Sequence, residues 1–374
     1  MRPTLGGEER EQTLLGWLGV AIIAITFHNA GTFFHTRPIP SAIVGTILYS
    51  GWVGISLFGT LIGLRTTLMM ARQGDRDPKV AAFYGTLIRR AVPIYYLTLL
   101  VAFVLIPHFI VRGPWSDAIS GQQVWYWTLL RNWAPGDPVT IDGFQHTWAL
   151  GAAVPILIAW PPLVRYAGAR GVACAVLLSL MWRLNAFLAG ASAAEVYHST
   201  LAWVDAVGLG SLAAFALIRP TWTRRVRNWI PGIVAASCTG IGIVVITTRG
   251  FSASNLLVVE VGEVFFALLS ATLLFASLDG TARGALTARA VLRFQPLQLL
   301  GRHAFAIYVL HFPLHFAFMH LRPDPVATPV IEVLLRIGYD GLVLVAAAAL
   351  AVVLGHAGRS ALALARAAPL PGRA

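Results

Sequence analysis

Apolar segments of membrane-spanning length recur along this chain from residue 13 to residue 355, and no long polar stretch separates them. That recurrence constrains the fold more than any single motif. The hydrocarbon core of a bilayer is about 30 Å thick, and a helix crosses it in about 20 residues. On that ruler, spans fall near residues 13–34, 44–64, 87–106, 147–165, 171–189, 200–218, 230–248, 254–277, 298–320 and 330–355. The expected fold is all-α, a polytopic integral membrane protein with about ten transmembrane helices in one bundle. Composition excludes the main alternative. With 57% hydrophobic and 12% charged residues, and a mean hydropathy of +0.71, the chain lacks the polar surface of a soluble domain. One membrane domain is expected over residues 1–374, with 1–12 as a cytoplasmic head and 356–374 as a cytoplasmic tail. The first segment follows the mixed-charge head "GGEEREQ" and has no small-residue cleavage site, so it reads as a retained helix rather than a signal peptide.

The formal net charge is +12, and Lys79 is the only lysine among 28 basic residues. In a soluble protein such a balance would suggest nucleic acid. Here the distribution decides, and no nucleic-acid partner is expected. Arg65, Arg72, Arg76, Lys79, Arg89 and Arg90 crowd one connection; Arg219, Arg224, Arg225 and Arg227 crowd a second; Arg283, Arg289, Arg293 and Arg302 crowd a third. The positive-inside rule makes all three cytoplasmic, and an even number of spans then puts both termini on that side. The arginine bias and the tail "ALALARAAPLPGRA" fit a GC-rich bacterium, so the expected location is its inner membrane.

Several segments carry structural rather than chemical information. "QQVWYWTLLRNW", residues 122–133, is too short to cross, and its tryptophans suggest an interfacial helix on the outer side. Gly51, Gly54, Gly59 and Gly63 give the second span a small face for close packing. Cys174 and Cys238 lie in apolar runs and read as small core residues rather than a disulfide or metal pair.

Ionisable side chains within spans carry the functional signal, because they are expensive in lipid and face a bundle interior or a wet cavity. At about 1.5 Å per residue, His28 lies roughly 9 Å below the outer end of span one, Asp205 roughly 8 Å below that of span six, and Glu260 and Glu263 roughly 9 to 14 Å below that of span eight. His311 and His315 fall in the outer half of span nine, and His146 lies at the outer mouth of span four. Groups at similar depth suggest one polar cavity opening outward; the alternative is that each satisfies a neighbour across a helix contact. Metal is not expected, since His311 and His315 share a helical face but no H-E-x-x-H pattern or three-ligand set accompanies them.

Seven blocks, in order along nearly the whole chain, carry a resemblance. They are "ITFHNAG", "GWVGISLFGTLIG", "FYGTLIRRAVPIYYLTLL", "RNW", "HTWAL", "YHSTLAWVDAVGLGSLAAF" and "RFQPLQLLGRHAFAIYVLHFPL". Together they resemble the membrane-bound acyltransferase family 3, multi-span O-acyltransferases that modify bacterial polysaccharides, lipopolysaccharide and some secondary metabolites. The resemblance implies transfer of an acetyl or other short acyl group from acyl-CoA to a hydroxyl of a glycan or secondary metabolite, with acyl-CoA as co-substrate and no bound cofactor. It implies His28 as general base, able to take a proton from a hydroxyl that attacks a thioester. It implies Arg89 and Arg90 at the donor phosphates, which guanidinium forks suit; the alternative role for these arginines is topological. His146, Trp148, Asp205, Tyr308 and His311 are expected to line the cavity and meet the acceptor. The family's usual pattern has an Arg where this chain has Trp17, an Asp at Ser56, a Ser and acidic residues after Trp148 where this chain reads Ala149, Gly151, Ala152, Ala153 and Val154, and an Arg at Trp203.

In place of the missing acidic group, Glu260 and Glu263 lie three apart on one face and are expected to orient and stabilise the His28 ring. Alternatively they are a hydrogen-bonded pair that locks two helices together. The competing functional reading is a non-catalytic descendant that transports or senses an acylated lipid or glycan through the same cavity.

Overall fold

The computed structural model describes residues 7–31, 50–71, 79–105, 123–134, 144–279, 283–318 and 329–367, and the only regular structure among them is helical. The helices are α1 (Gly7–Gly31), α2 (Val53–Ala71), α3 (Lys79–Leu100), α4 (Gln123–Trp127), α5 (Trp148–Pro162), α6 (Gly168–Leu188), α7 (Ala193–His198), α8 (Val204–Ile218), α9 (Pro220–Thr248), α10 (Glu263–Asp279), α11 (Arg283–Leu292), α12 (Gln295–Arg302), α13 (Ala304–Ala317) and α14 (Pro329–Ala367).

Among the described residues, eight helical stretches are long and apolar enough to cross a membrane, and Ala304–His315 is a shorter apolar helix. One of the eight, the 44-residue stretch Gln145–Leu188, is about twice the length one crossing needs. It contains a chain reversal at Gly168, whose φ of +58° a residue with a Cβ adopts only under strain. The contacts on either side show the reversal. On α5, Trp148 packs against Trp203 and the Trp160 indole donates to Ser211 Oγ at 2.7 Å, so α5 runs in the same direction as α8. On α6, Val176 lies over Gly208 and Arg183 reaches Asp205, so α6 runs the opposite way. Counting both halves, together with α13, gives the ten membrane helices that the sequence implies.

Other pairs obey the same alternation. Gly51 faces Ala24 and His28, while Gly54 faces Ala21 and Ile25, so α1 and α2 are antiparallel. Gly301 lies against Leu15 and Asn29 bonds His311, so α13 runs in the same direction as α1. The glycine face of α2 packs as its spacing suggests. A Cβ on Gly63 would come within 1.8 Å of the Val207 carbonyl oxygen, a distance that only a missing side chain permits.

The apolar core divides into a cluster around Trp52, Trp148, Trp160, Trp203 and Phe251, and another around Tyr95, Phe103, Tyr126, Phe144, Ile307 and Tyr308. Partly exposed ion pairs mark the arginine-rich end of the bundle. There Arg65 pairs with Glu11 at 2.8 Å, Arg293 with Glu9 at 3.0 Å and Arg227 with Asp279 at 2.9 Å. Of the expected basic connections, Arg72 and Arg76 lie outside the described residues.

Three local readings change. Both cysteines are exposed on outward helix faces rather than buried in the core, because apolar runs in a membrane bundle are as often lipid-facing as internal. Helix α9 starts at Pro220, ten residues before the expected span, since proline is accommodated in a helix's first turn and the arginines that follow favour helix as well. Helix α14 runs through the expected tail to Ala367.

Candidate functional site

Two polar clusters stand at the end of the bundle away from the arginine-rich end. The first joins the end of α1 to α13. His311 is fully buried, and its Nδ1 lies 2.7 Å from the Tyr308 carbonyl oxygen, to which only an N–H can donate. The ring's Nε2 therefore keeps its lone pair and accepts from the Asn29 side-chain amide at 2.8 Å. The bond fixes His311 as a neutral tautomer and pins the last turn of α1, where His28 precedes Asn29, against α13. His28 itself is half-buried, and its Cβ would be 3.0 Å from a Cβ on Gly51, so glycine there lets the turn before α2 approach the histidine closely.

His146 enters from the short 3-10 turn Gln145–Thr147 that leads into α5. Its ring stacks on Phe312 with centroids 5.0 Å apart, and it meets His311 edge-on at 5.0 Å and Tyr308 at 5.2 Å. The Tyr308 hydroxyl donates to the His146 carbonyl, tying the head of α5 to α13. His315 lies one turn beyond His311, its ring 6.1 Å from that of His311 and 5.6 Å from that of Tyr339. His28, His146, Tyr308 and His311, predicted from spans one, four and nine, thus belong to one end of the bundle.

The second cluster centres on Arg183 of α6, which the sequence reading did not single out. Its Nε donates to Asp205 Oδ2 at 2.7 Å, Nη1 donates to the Val259 carbonyl at 2.8 Å, and Nη2 donates to the Ala202 carbonyl and to Glu263 Oε2. Glu263 Oε1 accepts from Ser56 Oγ at 2.8 Å. Local irregularities supply the carbonyls. Val259 lies in a π-helical turn, Val258–Gly262, and Ala202 in the 3-10 turn Thr200–Trp203, both of which alter the ordinary helical bonding ladder. The guanidinium fork points into a site that is 3% exposed and meets an acceptor from each of its nitrogens, which is the condition for a stable buried cation.

Glu263 is engaged by an arginine and a serine, whereas the sequence reading turned it towards His28. Gly54, which faces α1, and Ser56, which meets Glu263, are two residues apart and so on different faces of α2; Glu263 and α1 approach that helix from different sides. Glu260 is buried near Arg183 and has an Oε1 without a hydrogen-bond partner. Trp148 forms part of an aromatic wall. Its ring lies 4.6 Å from both Tyr197 and His198, and Tyr197 meets Trp52 edge-on at 5.6 Å.

Arg89 and Arg90 are exposed on α3, away from both clusters. The Arg89 guanidinium turns back along Gly85 towards the start of the helix, a direction that carries the charge towards the arginine-rich end.

Asn29, like Arg183, was not singled out from the sequence. Its signal was its position next to His28 inside the "ITFHNAG" block; Arg183 offered the general warning that a charge within a span is seldom idle. The chain finds no match among protein-family models, curated proteins or solved structures.

Proposed function

We propose that this protein is a membrane O-acyltransferase that moves an acetyl or other short acyl group from acyl-CoA to a hydroxyl of a glycan or secondary metabolite. The observation that carries the reading is the Asn29–His311 bond, which holds the His28 end of α1 beside Tyr308, His146 and His315. An enzyme of this kind needs a base held in place by groups that are themselves fixed. His28 takes the proton of the acceptor O–H as the oxygen attacks the thioester carbonyl. The C–S bond then breaks, and the leaving thiolate recovers the proton. Arg89 and Arg90, at the middle of α3, pair with the phosphates of the donor head group. Both termini and the arginine-rich end face the cytoplasm of a bacterial inner membrane, where acyl-CoA is available.

The Arg183 network favours a second reading. A guanidinium held by two carboxylates, with Glu260 close by, is a robust packing centre that needs no chemistry, and a non-catalytic chain transporting or sensing an acylated lipid or glycan would retain it. Purified protein in nanodiscs, incubated with a panel of labelled acyl-CoAs, separates the two. Slow release of free CoA, abolished in His28→Gln, supports the enzyme; folded protein that binds donors without releasing CoA supports the second reading.

A further inference from the structure

His146 is 3% exposed, yet among the described residues neither ring nitrogen meets a partner at full hydrogen-bond geometry. The ring is not loosely placed, since Phe312, His311 and Tyr308 pack on it and its backbone carbonyl is held by the Tyr308 hydroxyl. A buried neutral imidazole normally donates through one nitrogen and accepts through the other. The backbone carbonyls of Tyr308 and Val309 are within reach as acceptors for an N–H of the ring. A carbonyl has no hydrogen to give the other nitrogen. The adjacent His311 has none to give either, because its Nδ1–H is bonded to the Tyr308 carbonyl and its Nε2 is occupied by Asn29. Beside His146, the side-chain oxygen of Gln145 is a second buried acceptor without a donor. Among the described residues both deficits have the same sign: acceptors are present and donors are absent.

We infer that His146 seats a hydroxyl group of a bound ligand, a ring nitrogen accepting the ligand O–H, and that Gln145 Oε1 accepts a second hydroxyl of a polyol ligand. The inference rests on the proposed transfer reaction, for which it names the residue that positions the acceptor hydroxyl. A role in packing alone does not explain the site, because phenylalanine would stack on Phe312 equally well without burying two unsatisfied nitrogens.

His146→Phe tests this directly. It keeps the ring and removes both nitrogens, and replacing an unsatisfied polar group by an apolar one of similar shape is neutral or stabilising. The expected unfolding temperature is unchanged or higher, while kcat/KM for acyl transfer to glycerol, a small hydroxyl probe, falls at least tenfold. A fall of several degrees in unfolding temperature would show that the nitrogens are structural and would overturn the inference. The second measurement needs no turnover. In protein carrying 15N-labelled histidine in nanodiscs, glycerol should shift a ring-nitrogen resonance that is absent from His146→Phe, and no such shift at saturating glycerol also overturns it. If no acyl-CoA is consumed but the resonance shifts, the transfer reaction fails and the hydroxyl site stands.

Discussion

Arg183 and Glu263 lie 80 residues apart in sequence, yet the guanidinium of one binds the carboxylate of the other where four helices meet. Asp205 and Ser56 complete the junction, so α2, α6, α8 and α10 are joined through a single cation. Arg183→Met should therefore lower stability by about 3 to 5 kcal/mol, the cost of leaving buried carboxylates without their counter-charge. Arg183→Lys should recover only part of the loss, because one ammonium does not reproduce a fork that serves two carboxylates and two carbonyls. Thermal unfolding in detergent, with the Arg183→Met/Asp205→Asn/Glu263→Gln variant as the compensated control, measures both.

Topology is testable at described, exposed positions once Cys174 and Cys238 are replaced by serine. Cysteines introduced at Arg224, at the start of α9, and at Ala194, in α7, should react with a membrane-impermeant thiol reagent from opposite sides. Labelling of both from the same side would overturn the ten-helix alternation and with it the proposed cytoplasmic placement of Arg89 and Arg90.

Glu195 offers a pH signature outside the membrane helices. It forms a capping box with Ser192, whose backbone N–H donates to Glu195 Oε2 at 2.6 Å while the Ser192 hydroxyl accepts from the Glu195 N–H. The Ser192 backbone N–H, followed by its side chain, holds the Glu195 carboxyl below the ordinary glutamate value. A depressed folded-state pKa means that the ionised cap stabilises α7 above the unfolded pKa and is lost as pH falls through the lower, folded one. A 13C titration of the Glu195 carboxyl should show a midpoint below that of a free glutamate side chain, and Ser192→Ala should raise it.

The helices were legible because lipid imposes one length and one polarity on every span, and that constraint acts locally. Their polar ends were legible too, since His28, His146 and His311 could be placed by counting residues from span ends. Arg183 was not. In "LSLMWRLNAFL" it lies five residues from the end of α6, where an arginine can equally well extend to the interface, and only packing selects Asp205 and Glu263 as its partners. The acyltransferase resemblance places charges at 56 and 203, where this chain has Ser56 and Trp203. The structure brings the Glu263 carboxylate to Ser56 and a guanidinium to Asp205, two residues past Trp203. Reading one sequence position by position misses a charge that a neighbouring helix supplies. The cysteines misled for a related reason, as hydrophobicity does not distinguish a face towards lipid from one towards protein.

Changing Arg89 and Arg90 together to glutamine should weaken acyl-CoA binding by about 1.5 to 3 kcal/mol for each charge-assisted hydrogen bond to phosphate that is removed. Both side chains are exposed, so the amount of folded protein should change little. Donor binding measured in nanodiscs, with the cysteine labelling repeated in the same variant, distinguishes a phosphate site from an orientation signal. Unchanged affinity with unchanged topology reduces the pair to flanking charge.

His28 decides between catalysis and transport. A general base contributes about a hundredfold or more to rate, so His28→Ala should remove acyl transfer while donor binding and unfolding temperature change little. His28→Gln is the sharper variant, because glutamine keeps a hydrogen-bonding side chain of similar reach but does not accept a proton. A histidine needed only for packing tolerates that change; a base does not. Asn29 supplies an internal control, since it bonds His311 and sets where the end of α1 stands. Asn29→Ala should slow transfer through misplacement of His28, and its effect should largely vanish in a His28→Gln background, as expected of two residues acting as one unit. If His28→Gln retains full activity, the base is elsewhere in the cluster; if the wild-type protein consumes no acyl-CoA at all, the end of α1 is a binding or gating element and the transport reading takes its place.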